Sequence, residues 1–200
     1  MKKYIKNMVS NRCINQVSGI LVDMGIAFQT IELGEVLFEQ RLSMIQELDF
    51  QYKLKQVGLD LISDSKKLLS ERIKVVIIQM IHYSDEHIKT NFSVYLSEKT
   101  NLNYTYLSNV FRTENNMTIQ QFIIIHKIER IKELLLYGEM NLSEISYKMH
   151  YSSIAHLSNQ FKKITGLSPT EYRNLDVIRR IPLEEIGNPR IRTLKLSSRI

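Results

Sequence analysis

Two short segments, LSNVFR at Leu107–Arg112 and LSNQFK at Leu157–Lys162, each set an asparagine and a cation three residues apart. On a helix that spacing puts both on one face. The amide of asparagine suits bidentate contact with an adenine edge, and arginine or lysine suits a phosphate. The same face adds Thr105 and Ser108 in the first segment, and Ser153, His156 and Lys163 in the second. The candidate binding residues are therefore Thr105, Ser108, Asn109, Arg112, Ser153, His156, Asn159, Lys162 and Lys163.

No comparable set points to catalysis. The chain has no Gly-rich phosphate loop, no Gly-x-Ser-x-Gly elbow, no His-Glu-x-x-His and no paired zinc-knuckle cysteines. The acidic pair Glu184-Glu185 faces no evident site, and the five histidines show no ligand spacing. Neither an enzyme nor a bound cofactor is expected.

The elements that carry the two segments are themselves repeated. After Phe111 comes Asn116, and after Phe161 comes Gly166, both suited to the left-handed backbone that ends a helix. Thr118 with Gln121, and Ser168 with Glu171, then form capping boxes that open a following helix. Pro169 suits a first helical position. Upstream, YLSEKTN and EISYKMH read as short helices ending at Asn101 and His150. In them Ser97 and Ser146 leave room for a close helix crossing, and Asn141 with Glu144 caps the second copy. Each copy is helix, tight turn, helix.

Leu107 and Phe111, and Ile154, Leu157, Phe161 and Ile164, form the expected buried stripes. Between the copies, Thr118–Gly138 predicts a helix of roughly 30 Å, close to the ~34 Å between successive major grooves on one face of B-DNA. Matching scaffolds with polar outer faces predict two heads that read double-stranded DNA.

Residues 1–65 change period. KYIKNMV reads as a strand, and NRCINQVSGILVDMG as a helix with a stripe at Ile14, Val17, Leu21 and Met24. AFQTIEL and EVLFE are strands hinged at Gly34, SMIQELDFQYKLKQVG is a helix from Ser43 to Gly58, and LDLIS closes as a strand. This βαββαβ order is ferredoxin-like. An α+β protein follows: a domain at 1–65, an all-α domain at 66–175 with two helix-turn-helix units, and a basic tail at 176–200. The tail is expected to be largely disordered, or loosely packed through Val177 and Ile178.

The charge of +6 is uneven. Residues 1–65 hold seven basic and eight acidic groups, residues 66–175 fourteen and ten, and the last twenty-five six and three. An anionic partner suits the C-terminal two thirds. The single cysteine, Cys13, allows no internal disulfide and fits a reducing compartment. The N-terminus lacks an apolar signal segment, and IKVVIIQMI is too short to span a bilayer. A cytoplasmic protein with no membrane partner is expected.

The run from Phe92 to Arg173 resembles the DNA-binding domain of AraC/XylS-type transcription regulators. The resemblance is most specific in Phe161-Lys162-Lys163, Gly166, Ser168-Pro169 and Tyr172-Arg173, and Lys66–Tyr83 looks like that domain's first helix. It implies seven helices whose two helix-turn-helix units clamp adjacent major grooves, with the candidate residues above near bases or phosphates. Several positions depart from the family pattern: His150 for Gly, Tyr151 for Phe, Lys127 for Arg, Ile131 for Ala, and Asn109 and Asn159 where Arg is frequent. The fold survives these changes, while the target sequence does not transfer.

Residues 1–65 also look like the heavy-metal-associated fold, whose first loop carries Met-x-Cys-x-x-Cys. Here the run is Met8-Val9-Ser10-Asn11-Arg12-Cys13. A hydroxyl replaces the first thiolate, so the soft-metal pair is missing, and Cys13 reads as a small packer at a helix start. Cys13 remains a weak metal candidate, and metal sensing or handling is the alternative to DNA regulation. An effector or protein partner at the N-domain, and an interaction module that has lost DNA affinity, complete the readings.

Overall fold

A computed structural model describes residues 1–84, 91–175 and 180–186. These form two compact units: 1–77 with 91–116, and 78–84 with 117–175 and 180–186.

The first unit opens with β1 (Lys2–Lys6), α1 (Asn11–Asp23), β2 (Phe28–Glu32), β3 (Glu35–Phe38), α2 (Met44–Gln56) and β4 (Asp60–Ile62). The order of elements is the one predicted. The sheet runs β2-β3-β1-β4 with every neighbouring pair antiparallel. Lys3 pairs with Val36 and Ile5 with Leu61. β1 is shorter than KYIKNMV because Asn7 turns left-handed at φ 64°, and Met8 and Val9 then bury as a loop. Gly34 makes the β2–β3 turn at φ 81°, where an added Cβ would sit 3.2 Å from the Val75 side chain.

Ile5, Val36 and Phe38 from the strands meet Val17 and Leu21 of α1 and Phe50 and Leu54 of α2 in one core. Phe38 and Phe50 stack edge to face at 5.8 Å. Ser10 caps α1, and Ser43 with Gln46 forms a full capping box on α2.

α3 (Ser65–Ile78) follows, begun by the Asp64 carboxylate, which accepts from the backbone N–H groups of Lys66 and Lys67. Glu71, almost fully buried on α3, accepts the backbone N–H of Asn7 at 3.1 Å and pairs with Lys74 at 2.7 Å. The first unit ends with α4 (Phe92–Thr100) and α5 (Tyr104–Asn115).

After Ile78 the backbone widens into a π-helical turn, Gln79–Tyr83, where a uniform helix was predicted. In the second unit this turn buries Met80 and Ile81 and brings His82 Nε2 to 3.2 Å from His126 Nδ1. Burial, helped by the Arg130 cation, pushes His82 down to about 4. α6 (Ile119–Tyr137) runs from the Thr118–Gln121 capping box to Gly138 at φ 71°, as predicted. α7 (Leu142–Lys148), α8 (Ile154–Thr165) and α9 (Pro169–Arg173) complete the helices.

Val177 and Ile178 lie outside the described residues. Residues 180–186, read from sequence as part of a loose tail, pack on α6. Arg180 meets Glu133 at 3.2 Å, the Ile181 N–H donates to the buried Glu129 carboxylate at 3.2 Å, and Ile186 is 6% exposed. The sequence hid this because the contacts are non-local and Pro182 breaks any helical stripe. Burying one isoleucine is worth about 1.5–3 kcal/mol. A chain ended at Arg179 is therefore expected to be less stable by about 2 kcal/mol than one ended at Gly187. Urea unfolding of the two truncations checks this, and equal midpoints would show that the segment contributes nothing.

Candidate nucleic-acid interface

The face available on α5 and α8 follows from what each helix buries. Leu107 and Phe111, and Leu157 and Phe161, are all 0% exposed. Four residues apart, each pair fixes the rotation of a twelve-residue helix about its axis. Thr105, Asn109 and Arg112 then stand exposed, with Ser108 half-buried; Ser153, His156, Asn159, Lys162 and Lys163 stand exposed on α8. The nine candidates thus fall into two groups, one on each helix. The buried stripe of α8 is narrower than predicted: Ile154 and Ile164 are 41% and 40% exposed, because each lies in an end turn of the helix.

The ends of the two helices are equivalent. Asn103 Oδ1 accepts the Thr105 N–H at 2.8 Å, and Ser153 Oγ accepts the His156 N–H at 3.1 Å. Asn116 at φ 52° and Gly166 at φ 86° end them in the left-handed region. The preceding turns match as well, with Asn101 at φ 56° and His150 at φ 54°.

Each turn also receives a cation from the helix behind it. Arg72 of α3 donates to the Lys99 carbonyl at 3.2 Å, and Lys127 of α6 donates to the Met149 carbonyl at 2.8 Å. Both satisfy a carbonyl at a helix C-terminus, where positive charge is favoured.

In the second unit this support extends to the exposed face. The Lys127 ammonium lies 5.2 Å from the centre of the Tyr151 ring, and the Tyr151 hydroxyl donates to Gln160 Oε1 at 2.7 Å. Tyr151 also packs edge to face on His156 at 5.2 Å, while Ser152 Oγ lies 3.1 Å from His156 Nδ1. His156 is thereby held by two neighbours. Burial pushes the Tyr151 hydroxyl up to about 12 and Lys127 down to about 8.

Two further residues belong with the candidates. Aligned on the repeated Leu-Ser-Asn, Tyr106 falls at the place of His156 and Asn103 at that of Ser153. Tyr106 is 49% exposed and Asn103 exposed. The signal was the repeat itself, carried one step outward. The Lys127–Tyr151–Gln160 chain had no such signal, since it joins three elements.

Cys13 belongs to neither helix. It is 2% exposed at the start of α1, with Sγ 3.3 Å from Ser10 Oγ and 3.7 Å from the Asn7 carbonyl. Among the described residues no three His, Cys, Asp or Glu side chains are grouped to hold a metal ion, and no helix is long and apolar enough to cross a membrane.

Residues 96–175 match the family model described as a helix-turn-helix domain. The chain is 24% identical over 166 residues to the Bacillus subtilis HTH-type transcriptional regulator YtdP, covering 81% of this chain and 21% of that protein. It is 31% identical over 78 residues to the Msm operon regulatory protein of Streptococcus mutans, covering 39% and 28%. It is 24% identical over 185 residues to the melibiose operon regulatory protein of Escherichia coli, covering 84% and 61%. The chain thus spans less than two thirds of the length of each of these relatives.

The buried ammonium of Lys127 carries a pH signature. The folded protein releases its proton near 8, whereas the unfolded chain holds it to the ordinary value of 10.5. Between these values the unfolded state binds more protons, so this group makes stability rise with pH. Lys127→Met is expected to remove that rise and Lys127→Arg to remove it while keeping a cation on the Met149 carbonyl. The check is the difference between wild-type and variant unfolding free energies from about pH 7.5 to 10; parallel curves would sink the assignment.

Proposed function

We infer that this chain is a sequence-specific double-stranded DNA-binding transcription regulator of AraC/XylS type. The observation that carries this reading is the internal duplication. Two equivalently capped helices, anchored by equivalent Leu and Phe pairs, each expose an asparagine and a cation on one face. The helix-turn-helix match over residues 96–175, and relatives named as transcriptional or operon regulators, support it. On this reading α5 and α8 enter adjacent major grooves. Asn109 and Asn159 contact bases, Arg112, Lys162 and Lys163 serve phosphates, and Thr105, Ser108, Ser153, His156 and Tyr106 line the same surfaces.

Residues 1–65 are read as a ferredoxin-like module related to the heavy-metal-associated fold, with the helical domain beginning at residue 66. The β2-β3-β1-β4 order and the two helices on one face support that topology. The buried setting of Cys13 supports its role as a packer. The module's work is then to meet an effector or a protein rather than a metal. No catalytic step is assigned, and a DNA target puts the site of action in the cytoplasm.

Two tests separate the parts of this reading. Footprinting on the chain's own upstream region is expected to show one chain protecting two neighbouring grooves, roughly 20 base pairs. Affinity should fall steeply with salt as phosphate contacts release counterions. Protection of a single short half-site, unchanged when α8 is altered, would refute the two-headed mode.

Substitutions then assign roles. Asn109→Ala and Asn159→Ala are each expected to relax preference at one base pair by about 1–3 kcal/mol. Lys162→Ala should weaken all sequences about equally and flatten the salt dependence. Binding-site selection on the variants reads both effects. Unaltered preference in both asparagine variants would return these residues to the scaffold.

A further inference from the structure

We propose that α3 makes the module of residues 1–65 a working part of the first reading head, with Glu71 as the residue that positions α5 from it. The inference rests on the DNA reading above and extends it to what sets the aim of α5. Residues 1–77 and 91–116 form one compact unit, so the sheet and the α4–α5 hairpin belong to the same body. α3 touches both.

Three consecutive residues of α3 make these contacts. Ser70, 2% exposed, accepts from the side-chain amide of Asn115, the last residue of α5, at 2.7 Å. Arg72 donates to the Lys99 carbonyl at 3.2 Å, at the end of α4 and before the turn into α5. Between them Glu71, 5% exposed, accepts the Asn7 backbone N–H at 3.1 Å on one oxygen and the Lys74 ammonium at 2.7 Å on the other. Successive residues of a helix are turned by about 100°. One turn of α3 thus fixes the entry and the end of α5 relative to the loop at Asn7.

The module's side of this contact is itself held. The Asn7 side chain donates to the Gly58 carbonyl at 3.3 Å, and the Asn7 carbonyl accepts from Cys13 Sγ at 3.7 Å. One turn further along α3, the Val75 side chain would meet a Cβ on Gly34 at 3.2 Å. The Gly34 carbonyl accepts the Ile5 N–H at 2.9 Å, which ties that turn to β1. Glu71 and Val75 are four apart and share a face of α3, and the module meets that face at both places. A buried carboxylate is a costly way to fill such a position, and an apolar side chain would serve stability as well. What the carboxylate adds is a single partner geometry. A displacement of the Asn7 loop is then felt at α5, and not at α8, which lies in the other unit.

Double-mutant cycles on the full chain test this, with DNA selected by the wild type from a random pool as the probe. Glu71→Met, which removes the acceptor, is expected to weaken binding roughly twofold to thirtyfold. In an Asn109→Ala background that loss should shrink, because α5 has already given up its base contact. In an Asn159→Ala background it should persist in full. Glu71→Gln keeps an acceptor oxygen and should bind nearly as the wild type does. Gly34→Ala, which presses the module on Val75, should weaken binding with the same dependence on Asn109. A loss of folded protein would act alike in both backgrounds, so equal losses overturn the proposal, as does a Glu71→Met chain that binds like the wild type. A Gly34→Ala variant without the Asn109 dependence would place the positioning in the helical domain alone and overturn the module's part. A wild type that selects no preferred sequence would overturn the DNA reading itself, and this inference with it.

Discussion

Everything the exposed faces of α5 and α8 can do depends on burying two residues four apart on each helix. A twelve-residue helix is marginal by itself in water. Packing supplies what local propensity cannot, and here the packing is concentrated in Leu107 with Phe111 and Leu157 with Phe161. Since side chains repeat every 3.6 residues, fixing that pair also fixes which residues face outward. Asn109 and Asn159 each sit two positions beyond the buried leucine, on the opposite side. Removing an anchor would therefore cost orientation as well as stability.

The second constraint is the left-handed turn before each helix. Asn101 tolerates that backbone well, whereas His150 pays a steric cost that glycine would avoid. The local hydrogen bonds explain how the turn is nonetheless held. The Lys127 ammonium draws the Met149 carbonyl toward α6, and Tyr151, over which that ammonium sits, reaches Gln160 on α8. Arg72 plays the matching part at Lys99 in the first unit. A long cation can do this because its stem packs against apolar surface while its head finds a carbonyl. Burial is what lowers Lys127, so the same feature that steadies the turn makes it sensitive to alkaline pH.

Sequence patterns gave up the local features and withheld the non-local ones. The capping boxes at Ser43, Thr118, Asn141 and Ser168, and the left-handed ends at Asn116, Gly138 and Gly166, are written in residues three or four apart, and all were legible. The order of strands and helices along residues 1–65 was open to reading because turn residues punctuate it. The cation on each turn carrier was not, since Arg72 and Lys99 are separated by 27 positions and Lys127 and Met149 by 22. Nor was the packing of residues 180–186, whose partners Glu129 and Glu133 lie about fifty positions back.

The two copies also differ in an informative way. Buried and capping positions hold the same residue or the same chemistry: Leu107 and Leu157, Phe111 and Phe161, Asn103 and Ser153, Asn116 and Gly166. Several exposed positions differ, with Tyr106 against His156, Thr105 against Ala155 and Thr113 against Lys163, while exposed Asn109 recurs as Asn159. Packing constrains the first set, because a change of one methylene in a filled core is felt by every neighbour. The second set answers only to whatever meets it. If both helices read DNA, they present unequal surfaces to their two grooves. One chain then requires two different half-sites in a fixed order, and its target has a direction.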